Sequence, residues 1–440
     1  MATDSADVII VGAGVAGLAA ARLLGEAGLR VLILEARGRI GGRVWTIYSR
    51  EGAPVELGAE FIHGVPPKMF DTIRAANLAI CEFTGPKWIQ VDGKLQRDQD
   101  FFARTNSVLD RIDAGGPDHS FSRFLSEIED DDDAKLWGLE FVEGFHGALA
   151  ERIGVHSLLR SRKAEAELQG ERSFRLTRGY GELLRVMKDA LPQEHVRIRL
   201  NSTVHSVRWA AHNVRVHART AGEGAEFSCP RLLVTVPLGV LQAPPESLGA
   251  LTFEPALEEK KSALLLLFMG QTIRFSLMFS DRWWDHASGR RYHAGDLRDM
   301  SFIFSHEEWF PTWWTSAVSA PILTGWAASR RGERLTGKSG HFMRDRALDS
   351  LSSIFEYPRP TLQHMLEGWY VHDWQSDPYS RGSYSYVGVG GEGAQSELAQ
   401  PLADTLFFAG EATHSGGHHG EVHGAIETGE RAAREILSGR

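Results

Sequence analysis

The most constraining feature of this chain is its start, where the apolar run Asp7–Val11 (DVIIV) leads directly into Gly12, Gly14 and Gly17. A stretch with helical periodicity, VAGLAAARLLGEAG, follows and ends at Gly28, a residue suited to a helix C-cap. A second apolar strand, LRVLILEA, carries Glu35 18 positions beyond Gly17. A lone G-x-G-x-x-G would say little in a chain with 46 glycines among 440 residues. Set between two strands and opening a helix, it predicts a βαβ unit that binds a dinucleotide. Gly12 serves the tight turn, Gly14 lets the backbone approach a pyrophosphate, and Gly17 lets the helix pack closely on the strand. The helix N-terminus adds free N–H groups and positive dipole. Glu35 is placed to accept hydrogen bonds from ribose hydroxyls, and its charge makes NADP the least suitable dinucleotide.

Charge narrows the partners. With 57 Asp and Glu against 48 Lys and Arg the formal net charge is −9, which argues against a nucleic-acid partner. The 42% hydrophobic and 24% charged residues are those of a globular protein, and at about 150 residues per domain the length suggests two or three domains. Cys81 and Cys229 stand far apart outside any C-x-x-C spacing, so neither a disulfide framework nor a zinc site is expected. The longest wholly apolar run, Ala263–Met269, is far short of the roughly 20 residues that span a bilayer, and no signal segment is visible. These features predict a cytoplasmic protein with no membrane partner.

The β-rich segments cluster as VHSVRW (from Val204) with NVRVHA, RLLVTVPL at 231–238, and TLFFAGEAT at 405–413. Helix-leaning, aromatic-rich stretches lie at 73–171 and 251–383, with an acidic run, Glu127–Asp133, expected to be a solvated face or loop. The fold class is therefore α/β, with two interleaved domains: a discontinuous Rossmann-like dinucleotide-binding domain (1–72, 172–250 and 384–440) and an α+β domain (73–171 and 251–383). In ARGRIGGRVWT, Arg37 and Arg43 lie beside Gly41 and Gly42. They either clamp the diphosphate a second time, as FAD would use, or face solvent. Near the other end a strand enters Gly410 and Glu411, then a glycine-rich loop precedes the helix VHGAIETGERAAREIL. That transition offers a second helix N-terminus for a flavin pyrimidine edge or ribityl chain.

The segments VIIVGAGVAGLAAARLL, LILEARGRIGGRVWT, VELGAEFIHG, RGYGELL, LLVTVPLGVL, DWQSDPYSRGSYSYVGVG and FFAGEATHSGGHHGEVHGAIETGERAA, in this order, resemble the flavin-dependent amine oxidases. That family includes monoamine oxidases, polyamine and spermine oxidases and lysine-specific histone demethylases. The resemblance implies FAD held by a discontinuous dinucleotide domain, with contacts carried over to Gly58, Ala59, Glu60 and Phe61, to Val204, to Trp374 and to Val422. It implies oxidation of a small-molecule amine to an imine, reoxidation of the flavin by O2 with release of H2O2, and hydrolysis of the imine to an aldehyde, in a monomer or homodimer. Ser383 stands where monoamine oxidases carry the cysteine joined to flavin, so non-covalent FAD is expected. The length leaves no room for the long helical insertion of the histone demethylases.

The chemistry needs aromatic walls and a few polar handles more than a protein nucleophile. Trp374 and Tyr384 match the aromatic beside the flavin and the family's aromatic cage, or are core aromatics. Glu421 replaces the aromatic or threonine of the opposite cage wall. It could pair with an ammonium, accept a proton, or bond to the first turn of the helix it precedes. Counting back from Phe279, Asp281, Arg282 and Trp284 puts Arg274 at the family's lysine position. A guanidinium there keeps the charge but cannot act as a base. His63 matches the flavin-edge histidine of polyamine and spermine oxidases, able to orient the substrate nitrogen or exchange a proton near neutral pH, or it simply holds a loop. The cluster His414, His418, His419 and His423 lacks the partners of a metal site, and no metal is expected. The sequence thus predicts FAD-dependent oxidation of a polyamine-like or other primary or secondary amine. The alternatives are an L-amino-acid oxidase, with Arg274 gripping the substrate carboxylate, and a low-turnover flavin-stabilised binding protein.

Overall fold

The computed structural model describes residues 4–98, 101–129, 132–286 and 297–439. Its organising element is a five-stranded parallel sheet in the order Val196–Arg199, Val31–Leu34, Val8–Val11, Arg231–Val234, Leu406–Phe408. VIIV, VLIL and LFF are buried at every position, the continuous apolar pattern that a sheet covered on both faces requires. Alternate residues serve two cores. Val8, Ile10, Val31 and Ile33 meet the helices Val15–Glu26 and Val422–Ser438, while Ile9, Val11, Leu32 and Leu34 meet a second sheet. That second sheet is built on Ser202–Ala210, Asn213–Thr220 and Glu223–Cys229. The two helices touch backbone to side-chain position: a Cβ on Gly429 would lie 2.2 Å from the Ala16 carbonyl oxygen. The first helix stops at Glu26, and Gly28 follows at φ +79°, the left-handed conformation expected of a terminating glycine.

The stretch 251–383, read from sequence as helix-leaning, instead carries five strands of a seven-stranded sheet. Its order is Leu366–Val371, Thr272–Phe279, Ile322–Ala328, Thr312–Thr315, Phe302–Phe304, then the hairpin Lys87–Val91 and Lys94–Asp98. Thr272–Phe279 is buried at all eight positions, so it shows no polar alternation by which a strand could be recognised. The helices Gly340–Ile354 and Arg359–Met365 share its core with Trp283, Trp284 and Trp313. In the acidic run, Glu127, Glu129, Asp132 and Asp133 are exposed, while Asp130 and Asp131 lie outside the described residues. No helix among the described residues is long and apolar enough to cross a membrane.

Candidate active site

A cavity of about 620 Å³ runs from the first glycine turn, between the parallel sheet and the seven-stranded sheet, to the aromatic faces of Trp314 and Trp326. At the nucleotide end each glycine has a separate reason. Gly12 has φ +108°, and a Cβ there would stand 2.8 Å from the Thr235 hydroxyl oxygen. A Cβ on Gly17 would fall 2.1 Å from the Gly12 carbonyl oxygen, which is the close helix-to-strand packing the motif implied. Beyond Gly14 nothing stands within 4 Å, leaving space for a ligand to approach the backbone. The helix it caps has no side-chain cap and no acid in its first turn, so its N–H groups and dipole are free for an anion. Glu35, 4% exposed, accepts from Ala13 N at 2.8 Å and from Arg37 N at 2.9 Å. It braces the turn and keeps lone pairs for ribose hydroxyls. The open cradle and the free helix end fit a dinucleotide diphosphate.

Arg37 and Arg43 line this end, and neither faces solvent. Arg37 is ion-paired to Asp377 at 2.8 Å and donates to Ser380 Oγ at 3.1 Å. Arg43 donates to Glu411 Oε1 and to the Ser383 carbonyl, both at 2.8 Å. Burial pushes the Glu411 carboxyl up, but Arg43 and the Ser385 hydroxyl outweigh it and hold it below its ordinary value. Glu411 also accepts from Gly420 N at 2.9 Å, fastening the glycine-rich loop, in which Gly410 adopts φ +120°. Val204 and Val422 supply apolar wall.

The segment Gly58–Phe61 is clasped on several sides. A Cβ on Gly58 would meet the Arg43 carbonyl oxygen at 1.8 Å and the Trp374 ring at 3.2 Å. Trp374 donates to the Leu57 carbonyl at 2.7 Å, and Ala59 N to the Arg43 carbonyl at 3.2 Å. Glu60 receives Arg175 at 2.9 Å, Trp314 Nε1 at 2.8 Å and Arg274. Burial raises this carboxyl, and the two arginines more than reverse it. Phe61 packs on Trp314 and lies 5.5 Å from the Arg175 guanidinium. Arg274, on the strand Thr272–Phe279 that follows the short helix Lys261–Leu266, is 7% exposed, donating to the Gly58 carbonyl at 3.1 Å as well as to Glu60. Its charge is already committed, so it does not present the free fork that a substrate carboxylate would need.

At the far end Tyr384 donates to the Phe145 carbonyl at 2.6 Å and lays its ring against Gly420. His63 stands edge-on to Phe145, 5.2 Å between centroids, with Ser173 Oγ at 3.4 Å. Burial drives its pKa down to about 4, so it is neutral at physiological pH. Burial likewise lowers His146 and His423 to about 3 and His419 to about 4. His414 pairs with Glu427 at 2.9 Å and accepts from His418 N at 3.2 Å, so this spacing braces a loop. Among the described residues no group of three or more His, Cys, Asp or Glu is placed to hold a metal.

Glu421 is the N-cap residue of Val422–Ser438, yet its carboxylate makes no cap hydrogen bond, which removes the purely structural role open to it from sequence. It lines the cavity, and burial followed by repulsion from Glu165 and Glu411 raises its pKa to about 8. Two wall residues went unseen in the sequence. Burial lifts Glu165 to about 7, opposed only by Arg162, and it also raises Glu143. Glu165 sits in the charged run RSRKAEAE, where nothing distinguishes it from its neighbours.

A dinucleotide cradle opening into an aromatic-walled interior cavity defines a redox enzyme acting on an enclosed small molecule. The chain belongs to the family of flavin containing amine oxidoreductases, whose model matches residues 15–84 and 90–437. It is a flavin-dependent amine oxidoreductase with FAD as cofactor. Polyamine oxidase 2 of Arabidopsis thaliana is 29% identical, over 99% of this chain and 89% of that protein. Lysine-specific histone demethylase 2 of Homo sapiens is 30% identical over 98% of this chain but only 53% of its own length. In structure the chain is similar to a putrescine oxidase bound to putrescine (TM-score 0.79, 20% identity, 99% of both chains). It is also similar to cyclohexylamine oxidase from Brevibacterium oxydans (TM-score 0.78, 18% identity, 99% of both chains).

Proposed function

We propose that the protein oxidises polyamine-like or other primary and secondary amines to imines, with O2 reduced to H2O2 and the imine hydrolysed to an aldehyde. The charge pattern of the cavity carries this reading. The lining arginines Arg37, Arg43, Arg162, Arg274 and Arg331 are paired with Asp377, Glu411, Asp110, Glu60 and Glu140 respectively. Among the described residues Glu143 and Glu165 form no ion pair, and Glu421 faces only the buried imidazole of His423 at 4.0 Å. A lining with surplus carboxyl groups suits an ammonium and disfavours an amino-acid carboxylate.

FAD supplies the two-electron acceptor. The Gly14 turn and its helix would hold the diphosphate, Glu35 the ribose, and Trp374 and Tyr384 would confine the amine and exclude water. Attachment is non-covalent in this reading, since position 383 offers a hydroxyl, which donates to the Gly270 carbonyl at 3.0 Å. The substrate-binding domain would comprise 73–171 and 251–383 and the FAD-binding domain the remainder. Free Cys81 and Cys229 are in keeping with a cytoplasmic location.

An anaerobic screen for flavin bleaching tests the proposal, with amines in one arm and L-amino acids in the other, followed by H2O2 assay on admitting air. Bleaching by di- or polyamines and peroxide on reoxidation are expected. Bleaching by amino acids alone, or by nothing, overturns it.

A further inference from the structure

We propose that Glu165 and Glu421 act as one carboxyl pair that takes the proton from the incoming ammonium, making Glu165 a catalytic residue beside Glu421. The inference rests on the amine-oxidising reading above.

The pair is assembled by backbone contact. Gly417, at φ +99°, lies on the helix Val155–Glu167, where a Cβ would fall 2.7 Å from Ala164 Cβ and 2.8 Å from the Arg160 carbonyl oxygen. The loop that delivers Glu421 is thus seated one residue from Glu165, and both side chains line the cavity. Among the described residues the surroundings supply no free cation. On Glu165's side, Arg162 is bound to Asp110 at 2.6 Å. On Glu421's side stand Glu411, held by Arg43, and the phenols of Tyr180 and Tyr384, which burial keeps protonated. His423 Nδ1 is 4.0 Å from Glu421 Oε2, and burial keeps His418, His419 and His423 largely neutral at pH 7. His423 is 4% exposed, and its Nε2 has no hydrogen-bond partner. A neutral imidazole with an unused nitrogen at this wall can accept from a ligand N–H.

Burial and repulsion from Glu165 favour the protonated form of Glu421, so near neutrality the two carboxyls do not both stand ionised. The remaining carboxylate is a base facing the cavity. Alkylammonium groups arrive protonated, with pKa values of about 10 as for lysine, and only the free amine can surrender its α-hydrogen and electrons. In the step proposed, an ammonium N–H breaks and a carboxyl O–H forms, with no change of oxidation state. The neutral amine then undergoes the two-electron oxidation of the family activity, and the proton leaves to water with the product.

The test uses the FAD-loaded enzyme and its E165Q, E421Q and E421D variants, each checked for an unchanged flavin spectrum. tert-Butylamine, which has no α-hydrogen and cannot be oxidised, serves as the probe in infrared difference spectroscopy. Its binding to the wild type should add the carbonyl band of a protonated carboxyl, sensitive to D2O, and E165Q and E421Q should lose that band while E421D retains it. In anaerobic bleaching, the wild-type rate should rise with pH through the range of about 7 to 8 set by the pair. Removing the repulsion in E165Q should move that limb to lower pH, and E421Q should slow bleaching at least tenfold. Absence of the infrared band in the wild type, or an unchanged pH profile in both glutamine variants, overturns the pair. If no amine bleaches the wild type, the amine-oxidising reading fails, and the infrared band decides the pair alone.

Discussion

Arg274 is held by a carboxylate, a backbone carbonyl and the face of Trp314, 5.4 Å away. Truncating it in R274M strips Glu60 of one of two cations, and removing one partner of a buried pair costs about 3 kcal/mol. Denaturant unfolding of R274M should show that loss, and R274M/E60Q should not recover it, because Arg175 then lies buried without its carboxylate. His63 yields a second prediction. Its pKa falls from 6.5 to about 4 on folding, so its burial contributes stability that is fully present above 6.5 and is lost as pH falls towards 4. The His63 imidazole resonance should therefore stay unshifted between pH 5.5 and 8. Residues whose role is set by neighbours in sequence, such as Gly12, Gly17 and Glu35, were legible because strand, turn and helix fix their spacing. The partners of Arg274 and the burial of His63 and Glu165 were not, because they depend on segments far apart in sequence.

The glycine turn and its helix form an element in which fold and ligand impose separable demands. Gly14 has φ −70° and open space where a Cβ would point, so G14A should leave apoprotein stability within about 1 kcal/mol, as for a tolerated surface change. The added methyl would occupy the diphosphate approach, and FAD affinity should drop at least tenfold, about 1.4 kcal/mol. G17A should instead damage the fold, since its Cβ meets backbone. Thermal unfolding of the apoproteins and FAD titration separate the two cases. Among larger elements, four of the five parallel strands were readable as short apolar runs, whereas the edge strand Val196–Arg199 was not, because Arg197 and Arg199 interrupt its apolar pattern. Thr272–Phe279 was not, since burial on both faces erases the period-two signal.

For the whole molecule, the buried acids govern stability above pH 6.5. Glu56, Glu165 and Glu421 have pKa values raised from 4.5 to about 7, 7 and 8, so the folded chain binds more protons than the unfolded chain across that interval. Stability from these groups is complete below about 4.5 and is lost as pH rises through 7 to 8. The buried histidines oppose this slope only partly, because the unfolded chain, with histidines at 6.5, sheds most of those protons by about pH 7.5. The melting temperature of the apoprotein should fall between pH 6.5 and 8, and by less in E165Q/E421Q.

The strand order of the parallel sheet has a consequence for synthesis. Its central strand Val8–Val11 is made first, but the edge strand Leu406–Phe408 and the covering helix Val422–Ser438 are made last. On a ribosome the glycine turn emerges hundreds of residues before the partners that bury it. Cofactor capture must therefore await synthesis of that edge strand and helix, and until then the apolar strands are in the care of whatever shields nascent polypeptides.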